Sequence, residues 1–354
     1  MRKMMKYVGP VLAAGVLAFS LAACSGGGGG AAPAQTQQIT DTQGETVEVP
    51  TTVEKTADLW HAHNQVVLML NEGDSLVGTT EIFKSNGWAQ AVYPRISDVT
   101  TLVIGSGAGE VNYEEMMKLE PDVVFASDPD VTEASRKQGL TTLNVAFQDF
   151  DGLRNDVAIT GQVFGGEAQQ RADDWAKLLD SNIALVAERV GDVPEADRPK
   201  VLHICSSASL TMVDGRKTIV DEWINLAGGV NAIEKEGNRI ELTMEEIVAA
   251  DPDVIIIGSA TPDAVEALKA DPAYQGMKCV QEGRVYANPA GVFSWDRYSG
   301  EEALQVLWAA KFFNPDKFED IDMVQQTQDF YKTFYGYDLS KEDAERMLAG
   351  LGPQ

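Results

Sequence analysis

The sequence predicts an α/β protein of two lobes, each built on a central, mostly parallel sheet, and joined by a single long helix. Apolar residues recur at steps of three and four from residue 167 to residue 190, which is the pattern of a long amphipathic helix. The segments on either side of this helix resemble each other. A chain of 354 residues is also too long for one ordinary core and suits two.

The two similar segments cover residues 112–125 and 243–258. Each contains a short helical stretch, a Pro-Asp corner and a continuous apolar run. Such runs are typical of the buried parallel strands of α/β units. We therefore predict an N-terminal lobe over residues 39–166, a connecting helix over 167–191, and a C-terminal lobe with a helical tail over 192–354.

Composition and charge exclude some partners. The formal net charge is −26 and 44% of the residues are hydrophobic, so the chain is globular and acidic. Nucleic acid and anionic membrane surfaces are poor partners, because both attract clustered Lys and Arg. The acidic surface serves either to keep an exported protein soluble or to steer a cationic ligand. We predict a monomer without a cofactor.

The N-terminus predicts export. Three basic residues precede an apolar stretch, residues 8–22, that is too short for an ordinary membrane-spanning helix. The sequence ending at Cys24 resembles a bacterial lipobox, which implies a cleaved signal peptide, residues 1–23, and a lipidated cysteine. A flexible tether, residues 24–38, follows. Lipidation would hold the chain on the outer face of the cytoplasmic membrane, and an uncleaved anchor is the alternative.

Segments in both lobes resemble those of one family. In the first lobe they are a hairpin ending in Val-Pro and residues 74–78, 103–105 and 112–114, and in the second they are residues 226–231, 282–286 and 313–318. In this order they resemble the substrate-binding proteins of ABC importers for iron-siderophore complexes, haem and cobalamin. The resemblance implies two α/β lobes joined by one helix that limits hinge closure, with the ligand in the cleft between them.

The first-lobe candidates for ligand contact are Trp60, His61 and His63, which follow the first predicted parallel strand. Ligands commonly bind at the carboxyl ends of parallel strands. Two histidines two residues apart can face one side, and neutral imidazole binds late transition metals. A structural role at the start of a helix is the alternative. Since no third ligand lies nearby in the sequence, no preformed metal site is predicted.

The second-lobe candidates are polar, cationic and aromatic: Ser207, Arg239, Phe293, Trp295 and Arg297. A guanidinium beside aromatic rings suits an anionic or chelated ligand, because the guanidinium binds oxygen atoms and the rings cover apolar faces. The alternative places Trp295 in the core and pairs Arg297 with Asp296 or Glu301.

Glu114 and Glu245 occupy matching positions in the two lobes. The family resemblance implies that one exposed acid per lobe docks against arginines of the permease, and these two residues match that pattern. Stabilisation of a helix N-terminus, typically worth about 0.3–1 kcal/mol, is the alternative. The neighbouring Glu115 and Glu246 leave each assignment open by one position.

The predicted function is binding rather than catalysis, because no Gly-x-Ser-x-Gly elbow, Walker loop or His-Glu-x-x-His pair occurs. We predict a lipid-anchored extracytoplasmic protein that captures an iron complex of the ferric siderophore type and delivers it to an ABC permease. Haem, cobalamin, molybdate and tungstate are alternative cargoes. A ligand sensor and a hydrolase using Asp58, His61 and His63 are the other classes considered. Cys205 and Cys279 lack a motif spacing and are predicted to be free thiols, with a disulfide between them as the alternative.

Overall fold

The computed structural model describes residues 35–105 and 109–354. The predicted signal peptide, Cys24 and most of the predicted tether lie outside these residues. The described chain begins with an antiparallel ribbon of β1 (Thr36–Thr40) and β2 (Thr46–Pro50), where the sequence predicts a hairpin. No helix in the described part of the chain is long and apolar enough to cross a membrane.

The first lobe contains a six-stranded sheet with the order β6-β5-β4-β3-β7-β8, in which only the edge strand β6 runs antiparallel to its neighbour. Its strands are β3 (Thr56–Asp58), β4 (Leu76–Thr80), β5 (Thr100–Ile104), β6 (Glu110–Val111), β7 (Val123–Ala126) and β8 (Thr142–Asn144). Its helices are α1 (Asn64–Met69), α2 (Glu81–Lys84), α3 (Gly87–Val92), α4 (Tyr113–Leu119), α5 (Pro129–Lys137) and α6 (Phe150–Phe164). Strands β3 and β7 are both buried along their whole length, and for β7 the continuous apolar run predicts this burial.

Helix α7 (Gly166–Val190) connects the lobes and is the predicted long helix. It begins after Gly165, whose φ of +69° turns the chain sharply out of α6. The apolar stripe of α7 packs against the second lobe, where Trp175 Nε1 donates to Gly300 O at 2.8 Å and Asn182 Nδ2 donates to Ala303 O at 2.7 Å. These buried side chains fix the helix to the lobe, so α7 is a rigid connection rather than a flexible linker.

The second lobe contains another six-stranded sheet, with the order β12-β10-β9-β13-β14 and β11 paired beside β9. Its strands are β9 (Lys200–Ser206), β10 (Ser209–Val213), β11 (Val230–Asn231), β12 (Ile240–Glu241), β13 (Val254–Ile257) and β14 (Val285–Ala287). Its helices are α8 (Ile219–Leu226), α9 (Met244–Ala250), α10 (Ala264–Ala270), α11 (Lys278–Gln281) and α12 (Glu302–Phe313). Strands β9, β11, β13 and β14 are parallel, and the predicted fold class of two α/β lobes joined by one helix is confirmed.

The internal repeat is visible in α4 and α9. Each helix has seven residues and ends at a left-handed residue, Glu120 with φ of 51° or Asp251 with φ of 46°, immediately before the Pro-Asp corner. One apolar residue of each helix, Met116 or Ile247, is fully buried against its sheet. The two helices therefore present corresponding outer faces.

The tail forms α13 (Met323–Phe334) and α14 (Lys341–Leu348). Its aromatic residues are buried, as their density in the sequence predicts. The tail also contacts more than the second lobe, since Trp88 Nε1 of the first lobe donates to Leu351 O at 2.9 Å and Arg171 of α7 donates to Thr333 O at 2.9 Å. The tail thus links both lobes and the connecting helix.

Candidate functional site

The loops that follow the strands of the two lobes meet in a cluster of three aromatic rings. Trp60 follows β3 and Phe147 follows β8, while Tyr298 comes from the loop after β14. The Tyr298 ring centroid lies 5.7 Å from that of Trp60 and 5.6 Å from that of Phe147. Tyr298 has a φ of +58°, a left-handed conformation that costs a bulky side chain on the order of 1 kcal/mol and often marks a functional site.

Polar groups extend this contact between the lobes. The Tyr298 hydroxyl donates to Gln148 Oε1 at 3.2 Å, and Asn238 Nδ2 donates to the same oxygen at 3.4 Å. Gln148 belongs to the first lobe, whereas Tyr298 and Asn238 belong to the second. Phe147, Gln148, Asn238 and Tyr298 were not among the predicted contact residues, although each lies on a loop after a strand.

His61 faces an aromatic ring of the opposite lobe. Its imidazole is half-buried, and its ring centroid lies 5.7 Å from that of Phe293. Burial lowers the pKa of His61, so the ring is neutral at neutral pH and its nitrogen lone pair can bind a metal or accept a hydrogen bond. Of the two predicted histidines, His61 is the one that lies where a ligand between the lobes would contact it.

His63 lies in the core, and its predicted ligand contact must be revised. The residue is 1% exposed, with Nδ1 2.7 Å from Asp58 Oδ2 and Nε2 2.9 Å from Thr160 Oγ1. Thr160 Oγ1 donates its own hydrogen to Asp156 O, so it accepts the hydrogen bond from Nε2 of His63. The neighbouring carboxylates raise the pKa of His63 and favour its protonated form, and the buried side chain stabilises the loop that carries Trp60 and His61.

Asp58, His63 and Asp156 form a buried charged triad in the first lobe. Burial raises the pKa of Asp156 from 3.8 to about 7, and His63 only partly offsets this effect. Burial also raises the pKa of Asp58 against the opposing charge of His63. Burial alone would lower the pKa of His63, but the carboxylates of Asp58 and Asp156 raise it overall. The triad thus binds protons more tightly in the folded chain than in the unfolded one.

The loop after β14 contributes its arginine to the fold rather than to the open cleft. Arg297 pairs with Asp214 through Nη2, and its Nε lies 3.6 Å from Asp296 Oδ2. His203 completes the network, with Nδ1 2.8 Å from Asp214 Oδ2 and Nε2 3.0 Å from Asp296 Oδ2. Two buried carboxylates thus face two buried cations. The predicted direct ligand role of Arg297 is revised to a structural one, in agreement with the alternative that pairs it with Asp296.

Charge compensation fixes the protonation states of this second network. Burial by itself would raise the pKa of Asp214, but the adjacent His203 and Arg297 hold it well below its usual range. The same balance lowers the pKa of Asp296. Both acids are therefore ionised throughout the neutral and mildly acidic range.

Trp295, Arg239 and Ser207 occupy three different environments. Trp295 is 0% exposed and belongs to the core, so its predicted ligand contact is revised as well. Arg239 is exposed, its backbone N–H donates to Asp214 Oδ1 at 3.1 Å, and its side chain forms no ion pair with any described residue. Ser207 directly follows β9, and its hydroxyl accepts from Thr261 N at 3.1 Å. Arg239 is consequently the arginine that remains available beside the contact between the lobes.

A cavity of about 530 Å³ lies between the lobes next to Gln148. Gln148 and Asp149 line it from the first lobe, and residues of α8 and the turn before it line it from the second: Lys217, Thr218, Asp221, Glu222, Asn225 and Leu226. Glu222 Oε2 accepts from Phe150 N at 2.9 Å across the interface, and burial raises the pKa of Glu222. The volume suits a small ligand, and the carboxylates favour a neutral or cationic one.

The remaining predicted residues are buried thiols and exposed acids. Cys205 and Cys279 are both buried and free, and burial raises the pKa of each thiol. They are unreactive for that reason. Glu114 and Glu245 are exposed at the second position of α4 and α9. Within the two described ranges, no cluster of three or more His, Cys, Asp or Glu side chains could hold a metal ion.

Comparisons with known proteins agree with this architecture. The family described as periplasmic binding protein matches residues 61–291. The molybdate-binding protein MolA of Haemophilus influenzae is 24% identical over 338 residues, which cover 87% of this chain and 93% of MolA. A cobalamin-binding protein of Halobacterium salinarum is 26% identical over 201 residues, covering 55% of this chain and 51% of that protein. A periplasmic solute binding protein of Veillonella parvula superposes with a TM-score of 0.77 at 23% identity, covering 89% of this chain and 97% of the other.

Proposed function

We propose that this chain, which belongs to the periplasmic binding protein family, captures a metal chelate between its two lobes and delivers it to an ABC permease. The family and the relatives in transport support binding rather than catalysis. The observation that carries the proposal is the pair of ring contacts that cross between the lobes, Trp60 with Tyr298 and His61 with Phe293. A ligand that binds beside these rings would contact both lobes at once, and such contacts are what favour closure.

The cargo that these contacts suit best is a chelate of the ferric siderophore type. Aromatic rings cover the apolar faces of a chelator, and the neutral imidazole of His61 offers a hydrogen bond or a metal ligand. Asp149, Asp221 and Glu222 line the adjacent cavity and would repel a small anion. The charge of Arg297 is already neutralised by Asp214, so this guanidinium would attract an anionic ligand only weakly.

An oxyanion is the second candidate cargo. A relative named as a molybdate-binding protein aligns with 87% of this chain, and the exposed Arg239 could supply a guanidinium to an anion. Cobalamin and haem would use the same aromatic surface as a siderophore. A relative named as a cobalamin-binding protein aligns with 55% of the chain.

Transport also requires a position and a partner. The proposal places the mature chain on the outer face of the cytoplasmic membrane through a lipid on Cys24, as a monomer. Glu114 and Glu245 are exposed and would each meet a basic side chain of the permease. Helix α7 would allow small rotations of the lobes rather than a wide hinge motion, because both of its ends are packed.

Native mass spectrometry and thermal shift test the cargo directly. The chain from residue 25 onward is mixed separately with ferric siderophores, haem, cyanocobalamin, molybdate and tungstate. A retained chelate adduct with a raised melting temperature is the expected result, since a ligand that binds only the native state stabilises it. A retained molybdate or tungstate adduct would replace the chelate as cargo, and no adduct with any of the five would contradict the proposal.

The His61→Ala and Phe293→Ala variants are expected to bind the retained cargo about tenfold more weakly each, because each removes a contact worth about 1.4 kcal/mol. Isothermal titration calorimetry measures the affinities. The matched control is Phe312→Ala, which removes a partly exposed ring at the far end of α12. Affinities equal to that of the control would place the cargo elsewhere.

A further inference from the structure

The loop between β14 and α12, residues 288–301, carries both second-lobe rings that contact the first lobe. The ring centroid of Phe293 lies 5.7 Å from that of His61, and the ring centroid of Tyr298 lies 5.7 Å from that of Trp60. All residues of this loop are described, and they form no helix and no strand longer than a single bridge. The shape of the loop therefore depends on contacts made by side chains.

Glu301 ties the two ends of this loop together. Its carboxylate is fully buried and accepts from Val292 N at 3.1 Å, from Phe293 N at 3.0 Å and from Ser299 Oγ at 3.1 Å. Hydrogen bonds to an ionised acceptor are roughly twice as strong as those between neutral groups. Burial raises the pKa of Glu301 to about 7, so the ionised form predominates above that pH.

Tyr331 of the tail helix α13 completes this arrangement. Its hydroxyl donates to Glu301 Oε1 and accepts from Val292 N at 3.0 Å. A Cβ atom at Gly291 would collide with both Tyr331 Oη and Glu301 Oε1, so only glycine allows this close approach. The tail thus contacts the backbone of the loop immediately before Phe293.

The other tail helix contacts the same loop. Ala290 N donates to Met347 O of α14 at 3.0 Å. At the far end of the loop, Gly300 N donates to Gln65 Oε1 of the first lobe at 3.3 Å, and Tyr335 Oη of the tail donates to the same oxygen at 3.3 Å. Tail and loop are therefore joined at both ends of the loop.

We propose that Glu301 and Tyr331 are positioning residues for cargo binding, which hold the loop so that Phe293 and Tyr298 face the first lobe before the cargo arrives. The inference rests on the proposed function. Both side chains are fully buried, so they act through the loop and not by contact with the cargo. A loop that is already ordered loses less conformational freedom on binding, which raises affinity. The tail thereby gains a role in binding.

Isothermal titration calorimetry at pH 8 tests the positioning role. Ferrioxamine B, a cationic ferric trihydroxamate, is the first probe, and cyanocobalamin and molybdate are titrated in parallel. Glu301→Gln is expected to weaken binding about tenfold, because the amide nitrogen faces donors that the carboxylate accepts. Tyr331→Phe keeps the buried ring and removes only the hydroxyl, so a loss of about threefold is expected.

A double-mutant cycle separates positioning from a general effect on the fold. In a chain that already carries Phe293→Ala, Glu301→Gln should weaken binding by threefold or less, because one of the two rings that it positions is absent. Hydrogen–deuterium exchange gives a readout that needs no cargo. The Phe293 amide, which donates to Glu301, should exchange at least tenfold faster in Glu301→Gln.

Two control variants match these changes at the other end of the first-lobe sheet. Asp122 Oδ2 accepts from the consecutive backbone N–H groups of Glu54 and Lys55 at 2.8 and 2.9 Å, just before β7 and β3 begin. Tyr93 Oη donates to Asp74 Oδ1 at 2.8 Å. Asp122→Asn and Tyr93→Phe are expected to bind the probe like the wild type, and the melting temperature of every variant shows that it is folded.

The outcomes separate this inference from the proposed function. If the wild type binds a probe and the Glu301 and Tyr331 variants match the controls, the positioning role is wrong while capture between the lobes stands. A loss for Glu301→Gln that adds fully to that of Phe293→Ala, or an unchanged exchange rate at Phe293, would also overturn it. If the wild type binds none of the probes, the proposed function fails and the role in binding fails with it.

Discussion

Replacing Arg297 with methionine is expected to lower the free energy of unfolding by about 3–5 kcal/mol, because it leaves a buried carboxylate without its cation. The guanidinium contacts Asp214 and Asp296, and both acids are almost fully buried and ionised. Methionine preserves the packing of the long side chain while it removes the charge. Urea unfolding at neutral pH, with and without cargo, measures the loss.

A second substitution identifies the buried charge as the cause. Adding Asp214→Asn to Arg297→Met removes the unpaired carboxylate, so the double variant should lose at least 1 kcal/mol less than the two single losses together. Arg239→Met is the matched control, since Arg239 is exposed and unpaired among the described residues, and its stability should change by less than about 0.5 kcal/mol. An Arg297→Met variant that keeps full stability but no longer binds the cargo would show that Arg297 contacts the ligand.

Stability is expected to be greater near pH 5.5 than near pH 8, with much of the difference due to the triad of the first lobe. Folding raises the pKa of Asp156 from 3.8 to about 7, and it raises those of Asp58 and His63 as well. A group with a raised pKa contributes stability at low pH and loses it as the pH rises through the folded value. For Asp156 this loss is on the order of 4 kcal/mol between about pH 4 and pH 7.

The second lobe does not reverse this trend in the same range. The pKa values of Asp214 and Asp296 are lowered, so the stability that they contribute is lost only below about pH 4. The buried Glu301, whose pKa is raised to about 7 by burial, adds to the loss at higher pH. Thermal unfolding followed across the range from about pH 5 to pH 8 measures the slope.

Asp156→Asn assigns the slope to the triad. The amide has the same shape and cannot ionise, so the variant should be several kcal/mol more stable than the wild type near pH 8 and only about 1–2 kcal/mol more stable near pH 5. Asp173→Asn is the control, because Asp173 is an exposed aspartate on α7. A stability difference that is the same at both pH values would show that Asp156 is not the titrating group.

The fold followed from features that are local in the sequence. The apolar residues of α7 recur at steps of three and four and predict a helix with one buried face. The continuous apolar runs of β7 and β13 predict strands that are buried on both faces. The correspondence between α4 and α9 is also visible in the sequence, because both helices precede a Pro-Asp corner. Lobe boundaries remain a prediction at 39–166, 167–191 and 192–354.

The site depended on partners that are distant in the sequence. His61 and His63 are two residues apart, yet only Asp156 and Thr160, far along the chain, show that His63 is the buried one. Arg297 is 83 residues from Asp214, so no spacing could reveal its charge partner. Whether an arginine forms an ion pair with a carboxylate depends on their distance in the folded chain and not on their distance in the sequence. The sequence alone therefore leaves several carboxylate partners possible for each arginine.

Hydrogen–deuterium exchange with and without the retained cargo tests the central claim most directly, namely that the cargo binds between the two lobes. The account predicts slower exchange at the loops after β3 and β8 in the first lobe and at the loop after β14 in the second, together in one experiment. The exposed first turns of α4 and α9 should be unaffected, because the proposal assigns them to the permease rather than to the cargo. Protection confined to one lobe, or found only in the tail helices α13 and α14, would contradict capture between the lobes.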